Sequence, residues 1–315
     1  MNANRTVCAA VVFAYHNVGV RCLQVLLDHG VDVRLVLTHQ DNPGETIWFS
    51  SVADLARSRG IAVIMPDDPN TPDVVAQVRA AAPDFLFSFY YRLMLKRELL
   101  LVPTRGAYNM HGSLLPRYRG RVPVNWAIIH GETETGASLH AMTERPDRGA
   151  IVIQKAVPIG GDDTARQVFD RVTDAAAAAL DSALPALMAG SAPHFSQNPD
   201  EGSYFGARKP EDGRIDFNWS ALRIHNFVRA LTHPYPGAFA DVNGHRLVLW
   251  RTLRTSTQSA ADVTTPARLL ATGEVIRLEC RDGSALQVLD LECDGSALAA
   301  GNFSRVFGGS AIELA

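Results

Sequence analysis

The sequence lacks the loops and ligand patterns by which many nucleotide-dependent and metal-dependent enzymes are recognised. Residues 13–19, at the end of the first apolar run, contain neither GxGxxG nor GxxxxGK[ST]. This absence argues against a nicotinamide dehydrogenase. Ten histidines are present, but none lies in HExxH or in another cluster with ligand spacing. No metal is therefore expected.

Cysteine pairs and long apolar runs are also missing. The four cysteines are scattered without a CxxC pair, a pattern typical of reduced, buried thiols in a cytosolic protein. No apolar run in the sequence reaches the length of a membrane span. The apolar residues 7–15 continue into His16 and Asn17 without a small-residue cleavage site, which favours a buried strand over a signal peptide. We expect a cytoplasmic protein without membrane insertion.

Charge of one sign is not in excess, because the formal net charge is −3 over 315 residues. A chain whose main task is to grip a polyanion should be basic, so no nucleic-acid partner is expected. Hydrophobic residues make up 47% of the chain and charged residues 20%. This balance is that of a globular protein with enough apolar content for one large domain or two ordinary ones.

Strands and helices alternate over about the first 190 residues. Short β-rich runs are each followed by an amphipathic stretch, and this order predicts an α/β fold, a mostly parallel open sheet with flanking helices. The predicted strands are 7–15, 33–38, 61–65 and 85–90, and the predicted helices are 19–29, 50–59, 73–82 and 164–189. Apolar residues recur at helical spacing along the last helix, which predicts a core face.

The composition changes after residue 190. Residues 190–213 are rich in Gly, Pro, Ser, Asn and Asp and are interpreted as a linker, and a helix is predicted at 220–231. Five short strands follow, with hairpin turns at Asn243-Gly244 and Asp282-Gly283. They are predicted at 238–242, 246–252, 268–271, 275–280 and 285–291. A small β-barrel fits them, and we divide the chain into domains 1–200 and 201–315.

The densest feature is the segment 108–120, Tyr-Asn-Met-His-Gly-Ser-Leu-Leu-Pro-Arg-Tyr-Arg-Gly. It begins at the end of a predicted strand, where open parallel sheets bind ligands. Asn109 and His111 are two residues apart, so both side chains project from one face of an extended backbone. One can donate an amide hydrogen bond and the other can exchange a proton near neutral pH. Taken alone, the pair fits a structural role better than a catalytic one.

Asn-x-His-x-Ser-Leu-Leu-Pro followed by Tyr-Arg-Gly resembles the folate-dependent formyltransferases. That family also has an aspartate some 36 residues past the histidine, and Asp147 stands there. The resemblance extends to Asn226, Arg229-Ala230 and Pro236-Gly237-Ala238. It implies a Rossmann-like formyltransferase fold with an OB-like barrel and 10-formyltetrahydrofolate as co-substrate. It also assigns the catalytic roles to Asn109, His111 and Asp147.

The resemblance further implies where folate binds. Main-chain groups and apolar side chains at the matching positions would contact the pterin: Leu93, Met94, Leu95, Arg121, Thr143, Glu144, Arg145, Pro146 and Asp147. The remaining histidines, among them His130, His140 and His225, are expected in packing and surface hydrogen bonds.

A sugar-nucleotide acceptor would bring a pyrophosphate, which needs positive charge or backbone N–H groups. The candidates by charge are Arg92, Arg119, Arg121 and Arg208, and a surface role stays open for each. Residues 41–45 and Tyr15-His16 follow predicted strands, so they could flank the acceptor.

Further motifs are similar to one branch of the family, the polymyxin-resistance enzymes that formylate UDP-4-amino-4-deoxy-L-arabinose for lipid A modification of lipopolysaccharide. These motifs are Phe-Ala-Tyr-His at 13–16, Thr-His-x-Asp-Asn-Pro-Gly-Glu at 38–45, Phe-Ser-Phe-Tyr-Tyr-Arg at 87–92 and Gly-Glu-Thr-Glu-Thr-Gly at 131–136. The expected partner is therefore a UDP-amino sugar. That branch usually carries a second, dehydrogenase domain. Because this sequence stops at Ala315, we expect formyltransferase activity alone.

Other readings stay open. The acceptor could be another nucleotide-linked amino sugar, or charged initiator tRNA as in methionyl-tRNA formyltransferase. Those tRNA enzymes usually have Phe-x-Gly-Thr-Pro where this chain has Phe-Ala-Tyr-His-Asn at 13–17, and the loop here lacks the basic cluster that phosphate contacts require. A hydrolase that releases formate and a non-enzymatic folate- or nucleotide-binding module are further alternatives. The sequence leaves the oligomeric state and the role of the barrel undetermined.

Overall fold

The protein is described here by a computed structural model that covers residues 7–198, 200–255 and 266–314. Its α-helices are α1 His16–Asp28, α2 Val52–Ser58, α3 Pro72–Ala80, α4 Arg97–Leu100, α5 Pro123–Ile129, α6 Ala165–Ala189, α7 Ala221–Leu231 and α8 Ala300–Phe307. The first strands are β1 Ala9–Ala14, β2 Asp32–Leu37, β3 Ala62–Ile64, β4 Phe85–Phe89, β5 Gly106–His111, β6 Arg119–Gly120, β7 Glu134–Ala141, β8 Ile151–Pro158 and β9 Tyr204–Phe205. They are followed by β10 Ala238–Val242, β11 His245–Arg254, β12 Ala267–Thr272, β13 Val275–Glu279, β14 Ala285–Cys293, β15 Ser296–Ala297 and β16 Ala311–Leu314.

The chain forms two compact units. The N-terminal unit consists of the described residues within 1–123, 134–158 and 169–206, and the C-terminal unit of those within 124–133, 159–168 and 207–315. Two short segments, 124–133 and 159–168, therefore belong to the C-terminal unit although residues of the N-terminal unit follow each of them in the chain. The domain boundary at 200/201 stays a prediction.

The N-terminal unit is built on one sheet with the strand order β3-β2-β1-β4-β5-β7-β8. The strands from β3 to β5 run parallel, while β7 pairs antiparallel with β5 and β8 pairs antiparallel with β7. Every residue of the central strands β1 and β4 is buried, as expected for strands covered on both faces. This burial explains their uninterrupted apolar sequences and confirms the predicted mostly parallel open sheet.

The strand order reverses between β1 and β4, which is the place where open parallel sheets bind ligands beyond the carboxyl ends of their strands. On one face of the sheet, Val74, Val75 and Val78 of α3 pack with Phe13 and Leu86 in a single core cluster. Two loops leave the carboxyl edge of the sheet at the reversal, after β1 and after β4. The packed sheet thus holds both loops at a fixed edge.

The helix α6 carries the predicted core face. Its apolar residues at helical spacing are all buried: Val168, Val172, Ala176, Leu180, Leu184 and Leu187. Among the described residues, α6 is the one helix long and apolar enough by composition to cross a membrane, and 56% of that window is buried inside the protein. A core helix passes the same test, so the composition of α6 is a weak indication of a membrane span.

The C-terminal unit contains an antiparallel, barrel-like sheet with the strand order β10-β11-β14-β13-β12-β16, and β15 pairs with β14. The predicted turns join neighbouring strands: Asn243 and Gly244, between β10 and β11, both have positive φ, at 52° and 84°. Two positive φ values in a two-residue loop suit the right-handed twist of a hairpin. The small barrel predicted from the sequence is confirmed.

The described residues of 195–205, which lie within the predicted linker, pair with other segments of the N-terminal unit, and we call them the strap. Phe195 forms a β-bridge with Ile151, and β9 pairs parallel with β6. Gly, Pro and Ser are common in this segment, and such a composition predicts a linker. The pairing seen here uses main-chain hydrogen bonds over only one or two residues, so it leaves no apolar pattern in the sequence. For the strap, the linker interpretation is wrong.

The close pairing of β7 with β8 gives a stability prediction. A Cβ added at Gly136 in β7 would overlap the Lys155 carbonyl oxygen of β8, and backbone atoms in a paired sheet cannot move aside easily. We expect Gly136→Ala to lower the free energy of unfolding by about 1–3 kcal/mol, measured by urea denaturation. The control is Gly206→Ala in the same unit, where no atom lies within 4 Å of the added Cβ. Equal stability of the two variants would contradict the prediction.

Candidate active site

The candidate site begins where β5 ends beside β7. Their antiparallel register places Asn109 opposite His140 and His111 opposite Ser138. Opposed residues in a strand pair have neighbouring side chains on one face of the sheet, and Asn109 Nδ2 lies 3.1 Å from His140 Nε2. Strand pairing alone therefore collects an amide and two imidazoles on one face.

The loop between β7 and β8 adds a carboxylate to this group. Asp147 Oδ1 lies 3.6 Å from His111 Nδ1 and 3.5 Å from His140 Nε2. Its second oxygen, Oδ2, accepts a hydrogen bond of 2.8 Å from the Gly120 backbone N–H. The structure thus brings together all three residues for which the sequence predicts a catalytic role, Asn109, His111 and Asp147.

The strap holds this loop in place. Gln197 Nε2 donates to the carbonyl oxygens of Asp147, at 2.9 Å, and Gly149, at 2.8 Å. Asp147 has a φ of 55°, a left-handed conformation that Asp adopts more readily than most residues. A Cβ at Gly149 would overlap the Ala141 carbonyl oxygen, so glycine is required for the close return of the loop to β7.

The environment of Asp147 keeps its carboxylate ionised. Burial by itself would raise the pKa of this carboxyl, but the charge of His111, the hydrogen bond and charge of His140, and the Gly120 N–H outweigh burial. The net effect holds the pKa of Asp147 well below its usual value. A negative charge therefore persists beside both imidazoles at neutral pH.

The hydrogen-bond partners of His111 fix the roles of its two nitrogens. Nε2 lies 2.8 Å from the Tyr118 carbonyl oxygen, and a carbonyl can only accept, so Nε2 carries a hydrogen. Nδ1, which faces Asp147, is then the nitrogen that can gain and lose a proton. The ring is buried, so this nitrogen lies away from bulk water.

The orientation of the Asn109 amide depends on whether the His140 ring is protonated, as the partners of His140 show. Its Nδ1 lies 2.8 Å from the Ala141 carbonyl oxygen and therefore carries a hydrogen. In the neutral ring, Nε2 accepts a hydrogen bond from the Asn109 amide. A protonated ring would instead donate to Asp147. With no hydrogen on Nε2, His140 thus directs one N–H of the Asn109 amide toward its ring.

The Ser-Leu-Leu-Pro segment is held to the strands by a polar network. Ser138 Oγ donates to the Ser113 carbonyl oxygen and accepts from the Leu115 N–H at 3.1 Å. Gln154 Nε2 donates to the Leu115 carbonyl oxygen at 2.9 Å. These bonds fix the turn that leads from His111 to Tyr118 and Gly120.

Two family models of known proteins together match most of the chain. A family model for formyl transferase matches residues 17–184, and a model for the formyl transferase C-terminal domain matches residues 208–307. The first match alone covers more than half of the chain. The chain belongs to the formyl transferase family. It is therefore a formyltransferase, as its sequence motifs predicted.

Solved structures with the same fold include several formyltransferases. An N-formyltransferase from Helicobacter canadensis, solved with folinic acid and dTDP-3-aminofucose, is 20% identical, with 90% of this chain and 99% of that chain covered and a TM-score of 0.68. WlaRD, a sugar 3N-formyl transferase solved in the presence of dTDP and 5-N-formyl-THF, is also 20% identical, with 90% and 97% covered and a TM-score of 0.68. HypX from Aquifex aeolicus, solved with tetrahydrofolic acid, is 17% identical, with 96% of this chain and 47% of that chain covered and a TM-score of 0.63. At sequence identities of 17% to 20%, the similarity to these structures shows that the chain has the same fold and shows nothing more specific.

The folate positions predicted for this formyltransferase after β4 differ in exposure. Leu93 is 39% and Met94 is 53% exposed, whereas the Leu95 side chain belongs to the core cluster. Asn70 fixes the segment, because its Nδ2 donates to the Met94 carbonyl oxygen at 3.0 Å and its Oδ1 accepts from the Lys96 N–H at 2.7 Å. Two of the three apolar side chains are therefore open to a ligand.

The other predicted folate positions lie on neighbouring loops. Glu144 pairs with Arg97 of α4 at 2.9 Å, which links the 143–147 loop to the segment after β4. Thr143 Oγ1 donates to the Arg145 carbonyl oxygen at 2.8 Å, and Pro146 is half-buried. Arg121 has an exposed side chain next to Gly120, which donates to Asp147.

The arginines proposed for pyrophosphate binding have different surroundings. Arg119 is buried and donates to the Glu201 carbonyl oxygen and to Gln197, so the strap uses it. Arg92 forms a two-bond ion pair with Glu45, at 2.8 and 2.9 Å. Arg208 belongs to the C-terminal unit. Of the four, Arg121 is exposed and has no carboxylate partner within the described residues.

The side chains after β1, β2 and β4 form a second polar cluster. Tyr15 donates to Asp41 at 2.7 Å, and the Arg92 N–H donates to His39 Nε2 at 2.9 Å. His39 stacks on Tyr91 with ring centroids 4.1 Å apart. Burial, reinforced by the charges of Arg92 and Arg121, lowers the pKa of His39 to about 4. The His39 ring is therefore a neutral acceptor in this cluster.

Sequence reasoning misses two residues of the site. The packing role expected for His140 is wrong, because His140 contacts both Asn109 and Asp147. Gln197 was not singled out, although it holds the Asp147 loop. The alternation along β7 could have placed His140 on one face of the sheet, but only the register with β5 shows that Asn109 is its neighbour.

One group of residues in the described part of the chain could bind a metal ion. It consists of His245, Cys293 and Asp294 of the barrel and includes none of the candidate site residues. The expectation that the formyltransferase needs no metal stays a prediction.

The contact between His140 and Asn109 gives a testable role for the missed residue. We expect His140→Ala to lower kcat for formyl transfer by up to about 100-fold, because the Asn109 amide loses the partner that orients it. Steady-state kinetics would measure the effect, with circular dichroism to check the fold. His245→Ala, which changes a histidine on the barrel, is the control. A rate equal to that of the wild type would show that His140 does not orient Asn109.

Proposed function

We propose that this formyltransferase transfers the formyl group of 10-formyltetrahydrofolate to the 4-amino group of UDP-4-amino-4-deoxy-L-arabinose. The observation that carries the proposal is the grouping of Asn109, His111 and Asp147 at the carboxyl end of β5. The similar structures solved with folinic acid or 5-N-formyl-THF, and with dTDP or dTDP-3-aminofucose, support a folate donor and a nucleotide-linked amino sugar as acceptor.

The surroundings of the site fit a folate donor, which supplies the formyl group when bound. A flat pterin ring needs apolar cover and main-chain groups along its edge. Leu93 and Met94 offer exposed apolar side chains, and the 143–147 loop, tied to α4 through Glu144 and Arg97, offers main-chain groups next to Asp147. The Leu95 side chain stays in the core, so its part would be limited to the main chain.

Asn109 would stabilise the negative charge that develops on the formyl oxygen when the amine attacks. The amide nitrogen has two hydrogens, and one of them is directed at His140. The second is free to donate to the oxyanion. A donor already in position stabilises the transition state more than the ground state, which is how catalysis is gained.

His111 would move the proton that the reaction must transfer. The attacking amine loses a proton and the departing folate nitrogen gains one, so a single shuttle can serve both. The Tyr118 carbonyl oxygen holds Nε2 as a donor, which leaves Nδ1 for the exchange. In its protonated form the ring would also help to stabilise the oxyanion.

Asp147 would stabilise the positive charge of His111 during this exchange. Its carboxylate stays ionised because the two histidines and the Gly120 N–H together hold its pKa low despite burial. The 3.6 Å distance to His111 Nδ1 is slightly too long for a direct hydrogen bond. It suits a close ion pair or a bridging water.

The choice of acceptor rests on the motifs shared with the polymyxin-resistance enzyme ArnA. Those at 13–16, 38–45 and 87–92 include the residues of the cluster after β1, β2 and β4. Arg121, without a carboxylate partner in the described chain, would face the pyrophosphate. The four cysteines are free and buried, which supports a cytoplasmic location for the enzyme.

Replacing the oxyanion donor tests the mechanism. We expect Asn109→Ala to lower kcat by on the order of 100- to 1000-fold, because one hydrogen bond made mainly in the transition state is lost. His111→Ala should abolish turnover. The rates would be followed as tetrahydrofolate formation, with the exposed Asn218→Ala as control. Full activity of His111→Ala would overturn the assignment of the proton shuttle.

A panel of acceptors tests the substrate. With 10-formyltetrahydrofolate as donor, we expect kcat/KM for UDP-4-amino-4-deoxy-L-arabinose to exceed that for dTDP-3-aminofucose by about 10-fold or more. Charged initiator tRNA should give no product. Preference for the dTDP sugar would replace the proposed acceptor with another amino sugar. Formylation of the tRNA would identify a methionyl-tRNA enzyme.

A further inference from the structure

The C-terminal unit contains a cavity of about 820 Å³, and we call it the arginine pocket. It is lined by the turns at 130–133 and 159–161, the start of α7 and the side chains of Trp126, Arg208 and Arg254. Its volume lies in the range of about 300–1,000 Å³ that is typical of pockets for whole organic ligands. Asn109, His111, His140 and Asp147 are not among its lining residues.

Arginines outnumber carboxylates in the lining, although Asp162 and Asp163 follow the turn at 159–161 and their charges act on Arg229. Five arginines face two carboxylates: Arg208, Arg214, Arg223, Arg229 and Arg254 against Glu132 and Asp212. Asp241, outside the lining, pairs with Arg214. Within residues 7–198, 200–255 and 266–314, Arg223 and Arg254 have no carboxylate at ion-pair distance. Two guanidinium groups at one cavity thus form no ion pair with any described carboxylate.

Aromatic rings and glycine hold these guanidinium groups in position. Arg223 lies over the Trp219 ring at 4.2 Å, and Arg208 lies over the Trp126 ring at 4.7 Å. Arg254 lies against Gly161, where an added Cβ would be 3.1 Å from Nη2. Stacking uses the face of a guanidinium plane and leaves the N–H groups at its edge free to bind an anion in two-bond geometry.

Buried hydrogen bonds fix the floor of the pocket. Arg229 is buried and donates to the carbonyl oxygens of Gly160, at 3.0 Å, and Asp163, at 2.8 Å. His225 Nε2 lies 3.1 Å from the Gly161 carbonyl oxygen. The turn against which Arg254 rests is therefore rigid before any ligand arrives, which lowers the entropic cost of binding.

We propose that the arginine pocket is a second nucleotide site, which binds the diphosphate group of a nucleoside diphosphate. Arg223 and Arg254 would each bind phosphate oxygens, and Ile129, Ile159 and Leu222 provide apolar surface for the nucleoside. A single phosphate would leave most of the volume unfilled, and a cation would be repelled. None of the formyl-transfer residues lines this pocket, so the proposal does not rest on the identity of the sugar acceptor.

Titration calorimetry of the full chain with UDP tests this site. The double variant Arg223→Ala/Arg254→Ala should lose one equivalent of bound UDP, and each single variant should weaken that equivalent by about 10- to 100-fold, the effect of losing a charge-assisted hydrogen bond. Arg251→Ala, on the same strand as Arg254, and Arg305→Ala, on α8, remove one charge outside the lining and should leave binding unchanged. Arg254→Lys, which keeps the charge, should bind with intermediate affinity.

Three outcomes would overturn the proposal. Unchanged UDP binding by the double variant would show that the arginine pocket does not bind the nucleotide. Equal affinities for pyrophosphate and UDP would show that the nucleoside does not contribute to binding, so the pocket would not be a nucleotide site. A raised KM for the amino-sugar acceptor in the double variant would make the pocket part of the acceptor site rather than a second one. The formyl-transfer assay is separate, so failure of the proposed acceptor would leave this test intact.

Discussion

The nearly buried carboxylate of Asp147 is the constraint around which the candidate site of the N-terminal unit is arranged. A charge removed from water must be paired and hydrogen-bonded, and three parts of the chain meet this need: the two histidines on β5 and β7, the Gly120 N–H, and the loop that carries the aspartate. The strap secures the last two, through Gln197 and the pairing of β9 with β6. Residues far apart in sequence are thus ordered by a single negative charge.

The two units use their arginines differently. In the N-terminal unit, Arg119 donates to the strap and Arg92 pairs with Glu45, so these two guanidinium groups serve the protein's own structure. In the described part of the C-terminal unit, Arg223 and Arg254 are held by stacking or packing and form no ion pair with a carboxylate. A cationic group without a counter-charge keeps its capacity to bind an anion, and the small net charge of the whole chain does not reveal this local excess.

The sequence predicts those parts of the structure that depend on interactions between residues close together in the chain. The strands, helices and hairpin turns follow from local patterns, because burial on both faces of β1 and β4 produces apolar runs and Asn243-Gly244 favours positive φ. The common face of Asn109 and His111 also follows from their spacing, but Asp147 was found only through the family motif. His140 and Gln197 could not be predicted, since the register of β5 with β7 and the docking of the strap join residues 31 and 50 positions apart.

The strap has a consequence for how such an enzyme can be rearranged in evolution. The compositional border of the chain lies near residue 190, and a recombination event at that point would look harmless. It would separate Asp147 and Gly149 from Gln197, and Arg119 from its partners on the strap. A gene segment that is exchanged between proteins must therefore extend through Phe205 to keep these contacts. This segment is longer than the one that the change in composition suggests.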